Sequence, residues 1–135
     1  MIYLDTHVVL WLYADRGKRL SERARRLIED ANVIRLSPMV MLEMDFLHEI
    51  GRTTLPSNSV YEYLRERIGI EVCNKPFIDV IKVASQQTWT RDPFDRVITG
   101  HAALNQNPLI TKDEVIRNHY KHTQRVRAEY TISTI

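Results

Sequence analysis

The 135-residue chain has a single cysteine, Cys73, and therefore cannot form an internal disulfide bond. Its four glycines and five prolines are too few for a fibrous or low-complexity protein. No apolar run approaches the roughly 20 residues that span a bilayer, and the first residues lack a signal-peptide pattern. These absences argue against a disulfide-stabilised secreted scaffold and against a membrane protein. We expect a single cytoplasmic domain over residues 1–135, long enough to bury its own core.

A strong net charge is also lacking, since the formal value is only +2. The basic residues are nevertheless clustered. Between Arg16 and Arg26 there are six Lys or Arg and one acid, and between Lys112 and Arg127 five basic residues outnumber two acids. Such runs suit a polyanion such as RNA, but solvated helix faces carry similar charge, so both interpretations stay open.

Short apolar runs alternate with helical patterns along the whole chain. The helical segments begin at cap-like positions such as Ser21 and Ser37, and glycines 51 and 69 are placed to end two of them. The predicted strands are MIYLD at the start, residues 32–36, 70–72 and 108–111, with a possible fifth at 125–127 or 130–135. This alternation predicts an α/β fold, a three-layer α/β/α domain around a central, mainly parallel sheet of four to five strands.

Two acids follow predicted strands directly. Asp5 ends the first strand, and Asp113 comes just after the strand that contains Leu109 and Ile110. In open parallel sheets, ligands bind beyond the carboxyl ends of the strands. Either acid alone could equally be a helix N-cap, so each is weak evidence for a site.

A third acid, Glu43, occupies an unexpected helical position. On a wheel of about 100° per residue, it falls between Ile50 and Leu47 and next to Phe46, in the middle of the predicted apolar face. A buried carboxylate costs several kcal/mol unless it is paired or binds a metal. Glu43 is therefore expected to pair with an arginine, to be protonated, or to point into an acidic cluster.

The stretch RDPFDR, residues 91–96, adds two more carboxylates. Asp92 suits the N-cap position and Pro93 the first helical position, and Asp95 and Thr99 share a stripe with Asp92. Acids from four distant segments would repel one another unless cations lay among them. All-oxygen ligands favour Mg²⁺ or Mn²⁺, whereas the cysteine and histidines lack the spacing of a zinc site.

Four segments together resemble the PIN-domain nucleases, specifically the VapC-type toxins of toxin-antitoxin pairs. The matching segments are MIYLDTHVVLWLY, LSPMVMLEMDFLHEIGR, DPFDRVITGHAAL and PLITKDEVI. The resemblance implies a metal-dependent ribonuclease that uses Mg²⁺ or Mn²⁺ held by Asp5, Glu43, Asp95 and Asp113. Within it, Asp5, Asp95 and Asp113 would hold the principal ion, and Glu43 would bind through water or a second ion or act as a base.

The resemblance also implies roles outside these four acids. Asp92 is an additional metal-ligand candidate besides its capping role. Substrate contacts are expected from Thr6, Arg96, Thr111 and Lys112, and the run from Arg16 to Arg26 is a further candidate. An antitoxin protein and a second copy of the chain are the expected partners besides RNA. Where many members have alanine and threonine, this chain has Gly100 and His101, which would affect packing or substrate fit.

Other interpretations remain at this stage. The methionines Met41 and Met44 lie off the predicted apolar stripe of Glu43's helix and would contact a second core layer, a dimer partner or an antitoxin. A PIN fold without catalysis, binding RNA or a protein, is the main functional alternative. A phosphohydrolase acting on small phosphates is a third, although its usual nucleophile and phosphate-loop motifs are absent.

Overall fold

Four short strands pair in parallel in a computed structural model that describes residues 1–122. Their order across the sheet is β3-β2-β1-β4, and helices flank the sheet, as predicted. The elements are β1 (Ile2–Leu4), α1 (Thr6–Asp15), α2 (Glu22–Asp30), β2 (Ile34–Leu36), α3 (Pro38–Glu49), α4 (Ser57–Ile68), β3 (Glu71–Val72), α5 (Phe77–Ala84), α6 (Pro93–Ala103), β4 (Leu109–Ile110) and α7 (Glu114–His119). The possible fifth strand, at 125–127 or 130–135, lies outside the described residues.

The central strand β1 is buried along its whole length. Leu4 has no exposed surface, and neither do Leu36 of β2 and Ile110 of β4. Leu4 pairs in register with Ile110, so β1 and β4 end side by side at the same edge of the sheet. This register brings the residues that follow the two strands next to each other.

Helix boundaries agree closely with the cap signals in the sequence. The Ser21 hydroxyl accepts a hydrogen bond from the Ala24 N–H (3.0 Å), and the Ser37 hydroxyl accepts one from the Met39 N–H (3.0 Å). Gly69 follows α4 with a φ of 69°, a left-handed conformation that glycine adopts without steric cost. None of the helices within residues 1–122 is long and apolar enough to cross a membrane.

The predicted apolar face of α3 is wrong. Phe46 and Ile50 are about half exposed, at 47% and 52%, whereas Val40 and Met44 are buried in the core. The wheel ranked residues by type, but the direction in which α3 leaves Ser37 turns the face of Val40 and Met44 toward the core. Met44 thus confirms the core interpretation of the off-stripe methionines, and Glu43 lies half-buried rather than in the middle of a core face.

The unusual pair Gly100-His101 contributes to packing. A Cβ atom on Gly100 would lie 3.1 Å from the Val80 carbonyl oxygen and 3.2 Å from the Ala84 nitrogen, so the missing side chain lets α5 approach α6 closely. The buried His101 ring places Nδ1 2.8 Å from the Ser37 hydroxyl. Both departures from the common family pattern are therefore explained by contacts that hold α6 in position.

Candidate active site

The paired ends of β1 and β4 place Asp5 next to Thr111. Asp5 caps α1 by accepting a hydrogen bond on Oδ1 from the Thr6 N–H (2.7 Å), and Oδ2 accepts one from the Thr111 hydroxyl (2.5 Å). The same hydroxyl oxygen accepts a hydrogen bond from the Asp113 N–H (3.0 Å). A single buried threonine therefore fixes the positions of two of the predicted acids.

Glu43 reaches the same edge of the sheet from α3. Its Oε1 accepts a hydrogen bond from the hydroxyl of Thr6, the first residue of α1. Among the described residues, a hydroxyl rather than an arginine is therefore the hydrogen-bond partner of this half-buried carboxylate. Of the outcomes that the sequence left open, an arginine pair is not seen among the described residues, and Glu43 lies in the acidic cluster.

Asp92 and Asp95 are positioned by the start of α6. Asp92 Oδ1 accepts hydrogen bonds from the Phe94 N–H (2.8 Å) and the Asp95 N–H (3.3 Å), which confirms the predicted capping role. Asp113 caps α7 in the same way through its own Oδ1. In both caps the second carboxylate oxygen, Oδ2, makes no hydrogen bond within residues 1–122.

These acids meet in one cavity of about 250 Å³. Its lining consists of five carboxylates, one lysine and one histidine: Asp5, His7, Glu43, Asp92, Asp95, Lys112 and Asp113. Thr6 and Thr111 support it through their hydroxyls. Within the described chain Arg96 is not part of the lining, since its Nε donates to the Thr90 carbonyl oxygen (2.8 Å) in the preceding loop.

The electrostatics of the cavity follow from this crowding. Burial, followed by repulsion from Asp92, Asp5 and the other carboxylates, raises the pKa of Asp95 to about 7. Burial likewise raises the pKa of Asp5, which the Thr111 hydroxyl partly offsets, and the pKa of Glu43, which the Thr6 hydroxyl partly offsets. At neutral pH the carboxylates of this cavity therefore repel one another, and a bound cation would reduce that repulsion.

Replacing Asp95 with Asn is expected to stabilise the protein at pH 8 in the presence of a chelator. Because the pKa of Asp95 is above its ordinary 3.8, its contribution favours folding below about pH 4 and is lost as the pH rises through about 7. Asp95 is partly exposed, so solvent screening reduces the effect to about 1–2 kcal/mol, or about 3–6 °C in melting temperature. Thermal melts of both proteins at pH 5 and pH 8 measure it.

The comparison with Asp95→Asn isolates this group from His7 and His101, whose lowered pKa values act in the opposite direction. The difference between the two proteins should shrink at pH 5. Equal melting temperatures at pH 8 in chelator would show that Asp95 carries no repulsive strain.

The donor set fits a hard divalent cation. All five acidic side chains offer oxygen, and a cation among them would relieve the repulsion that raises their pKa values. Within residues 1–122, no three acid, histidine or cysteine side chains are already arranged around one common ion position. Mg²⁺ does not require that, because it usually keeps several waters and binds through one or two carboxylates.

His7 is the cavity residue that the sequence interpretation missed. It lies in the first turn of α1, two residues after Asp5, and burial, followed by the nearby Lys112, lowers its pKa. Burial therefore disfavours the charged form of this ring beside the carboxylates. The only sequence signal was its position after a candidate ligand, where most residues are simply part of a helix.

Known proteins resemble this chain in sequence over most of its length. The family model that describes the PIN domain matches residues 2–122. Ribonuclease VapC22 of Mycobacterium tuberculosis is 32% identical over 120 residues, covering 87% of this chain and 91% of that protein.

Solved structures agree in fold. VapBC2 of Rickettsia felis, bound to a promoter DNA fragment, matches with a TM-score of 0.62 and 17% identity, over 90% of this chain and 95% of that one. DNA-bound VapBC of Salmonella typhimurium matches with a TM-score of 0.61 and 15% identity, over 90% and 92%. The family-model match over residues 2–122 and the 32% identical relative lead to one conclusion: the chain belongs to the PIN domain family.

Proposed function

We propose that the protein is a divalent-metal-dependent endoribonuclease and the toxin of a toxin-antitoxin pair. The observation that carries the proposal is the gathering of five carboxylates in one cavity of a PIN-domain chain. Its 32% identity to a protein named Ribonuclease VapC22 supports RNA as the substrate. Mg²⁺ and Mn²⁺ are the proposed cofactors, because both accept carboxylate oxygen and bind phosphate.

Asp5, Asp95 and Asp113 are proposed to hold the principal ion, with Glu43 and Asp92 completing the cluster. When bound, the ion supplies activation of a water molecule and neutralisation of charge on the phosphoryl oxygens. The spare Oδ2 atoms of Asp92 and Asp113 support this assignment, because their capping bonds use only Oδ1.

Residues around the acids have supporting roles in this proposal. Thr111 orients the Asp5 carboxylate and the Asp113 backbone, and Thr6 orients Glu43. Lys112 is the cation in the cavity wall and is proposed to contact the substrate phosphate. Arg96 is better explained as a loop contact, since its Nε is bonded to the Thr90 carbonyl oxygen.

A protein antitoxin is the proposed partner, with homodimerisation and a cytoplasmic location as further parts of the proposal. The related solved structures are VapBC complexes, which supports a two-protein system. Exposed apolar side chains on α3, including Leu42 and Phe46, also suit a surface that a protein covers.

The test is a cleavage assay on single-stranded and structured RNA in three parallel conditions, with Mg²⁺, with Mn²⁺ and with EDTA. We expect cleavage in the first two conditions and none in EDTA. RNA binding without cleavage in any condition would instead identify a non-catalytic PIN module. Hydrolysis of small phosphate esters with intact RNA would identify a phosphohydrolase, and either result would overturn the proposal.

A further inference from the structure

A second cavity of about 380 Å³ adjoins the acidic one, between α1, the end of α3 and the loop that leads into α4. Its lining combines five aromatic or basic side chains with five aliphatic side chains and two threonines. The aromatic and basic residues are His7, Trp11, Tyr13, Arg19 and Arg52. Its volume lies in the range of sites that enclose one small organic ligand. The metal chemistry proposed above does not use it.

Two residues connect this second cavity to the acidic cavity. His7 lines both of them. Trp11 lines the second cavity, while Lys112 of the acidic cavity lies over its indole ring, with Nζ 5.8 Å from the ring centroid. A molecule that occupies both cavities would therefore pass directly from the carboxylates to the indole.

The aromatic and basic residues of the second cavity suit an unstacked nucleotide. Trp11 is partly buried and also has the Arg19 guanidinium 5.2 Å from its centroid, and Tyr13 is held in place by an edge-on contact with Tyr63 at 5.0 Å. Fixed aromatic rings bind bases by stacking regardless of sequence, and nearby arginines attract the backbone.

Charge favours a nucleic acid over a peptide here. Arg19 shares its charge with Asp15 at 2.8 Å, while Arg52 is exposed and Lys112 faces the neighbouring cavity. Among the described residues, the lining of this second cavity contains two arginines and no carboxylate, and this complements a ligand that carries phosphates next to planar rings. An antitoxin segment would need acidic residues to match it.

We propose that this second cavity binds the base of a nucleotide adjacent to the phosphate that is cleaved, with Trp11 as the stacking surface. The inference rests on the proposed ribonuclease function and adds a nucleotide subsite to it. With the cleaved phosphate at the carboxylates, the RNA strand passes His7 and Lys112, and the neighbouring base stacks on the indole of Trp11. Arg52 contacts the phosphate backbone of the RNA at the rim of the second cavity.

The first test compares Trp11→Leu with wild type on an RNA whose cleavage site has been mapped. Loss of stacking is expected to lower kcat/KM by about tenfold, and Trp11→Phe should keep most of the activity. On matched RNAs with an abasic ribose 5′ or 3′ of the cleaved phosphate, the difference between wild type and Trp11→Leu should disappear for one of the two. A difference that persists on both abasic RNAs would overturn the proposal.

A second variant avoids the core, because Trp11 is partly buried. Arg52→Gln is expected to raise KM several-fold without changing thermal stability, whereas Arg65→Gln, at an exposed arginine of α4 outside both cavities, should change neither. Equal KM values for the two arginine variants would contradict the placement of the RNA backbone beside Arg52.

A binding measurement separates this inference from the proposed function. The chain has two tryptophans, so Trp89→Phe leaves Trp11 as the only one. In the Trp89→Phe protein, with Asp5 unchanged and Mg²⁺ present, rapid mixing with a short single-stranded RNA should quench the Trp11 fluorescence before the RNA is cut. Quenching in a protein whose wild type cuts no RNA would support the subsite and reject the nuclease. Cleavage by wild type without quenching would support the nuclease and reject the subsite.

Discussion

Replacing Asp5 with Asn is expected to lower metal-dependent RNA cleavage by at least about a thousandfold while the protein remains folded. Asp5 is buried and lies between the Thr6 N–H and the Thr111 hydroxyl, so it is the most rigidly held of the proposed ligands. Asn keeps an oxygen for the α1 cap but loses the negative charge that a cation requires. Cleavage rates at saturating Mg²⁺ provide the measurement.

The same variant should be at least as stable as wild type in chelator. Burial raises the pKa of Asp5, so the substitution removes a charge that the folded state disfavours. Asp30→Asn, at the exposed end of α2, is the matched control and should cleave at the wild-type rate. Cleavage by Asp5→Asn at the rate of that control would remove Asp5 from the metal site.

Replacing Thr111 with Val is expected to reduce cleavage by about 10- to 100-fold, the usual cost of removing a group that orients a metal ligand. The substitution conserves shape but removes both the hydroxyl that donates to Asp5 Oδ2 and the oxygen that accepts from the Asp113 N–H. Two proposed ligands would lose their orientation at once. The loss should appear mainly in kcat at saturating Mg²⁺.

Thr111→Ser is the matched control, because it keeps the hydroxyl and should restore most of the activity. A pH profile distinguishes positioning from general damage. The Thr111 hydrogen bond lowers the pKa of Asp5, so its loss should move the acidic limb of the profile to higher pH. A uniform loss of rate in both variants, with an unshifted profile, would indicate only structural damage.

Much of this architecture could be predicted because it is local. Ser37-Pro38 and Asp92-Pro93 fix helix starts through hydrogen bonds to residues two or three positions away, and the structure has both caps. Asp5 and Asp113 could be placed at one edge because parallel strands end at the same side of a sheet. These rules bring Asp5 and Asp113 together without knowledge of side-chain contacts, but they do not place Glu43, Asp92 or Asp95 beside them.

The orientation of α3 could not be derived in this way. A wheel shows which residues share a face but not which face the sheet will cover, and Phe46 and Ile50 are apolar residues that remain exposed. Phe46 packs instead against Phe94 of α6, with 6.1 Å between the two ring centroids. Phe94 directly precedes Asp95 on that helix. That contact joins residues 48 positions apart in the chain, so no local pattern could reveal it.

The second cavity, beside the acids, could not be predicted from the sequence either. His7, Trp11 and Arg52 come from two separate segments, and each alone looks like an ordinary helix or loop residue. The Arg16 to Arg26 run gives a mixed result: Arg19 lines the second cavity, whereas Arg26 pairs with Glu22 on the surface. The composition of this run showed an excess of basic residues, but it could not show which of them line a cavity and which form surface ion pairs.

The crowding of five carboxylates makes cation binding and RNA binding interdependent under the proposed function. Without a cation, the acidic cavity repels a phosphate, and each occupant lowers the repulsion that the other meets. Linkage is reciprocal, so RNA must raise the affinity for the cation by the same factor by which the cation raises the affinity for RNA. The fraction of protein with bound RNA at equilibrium would then rise with the free Mg²⁺ concentration.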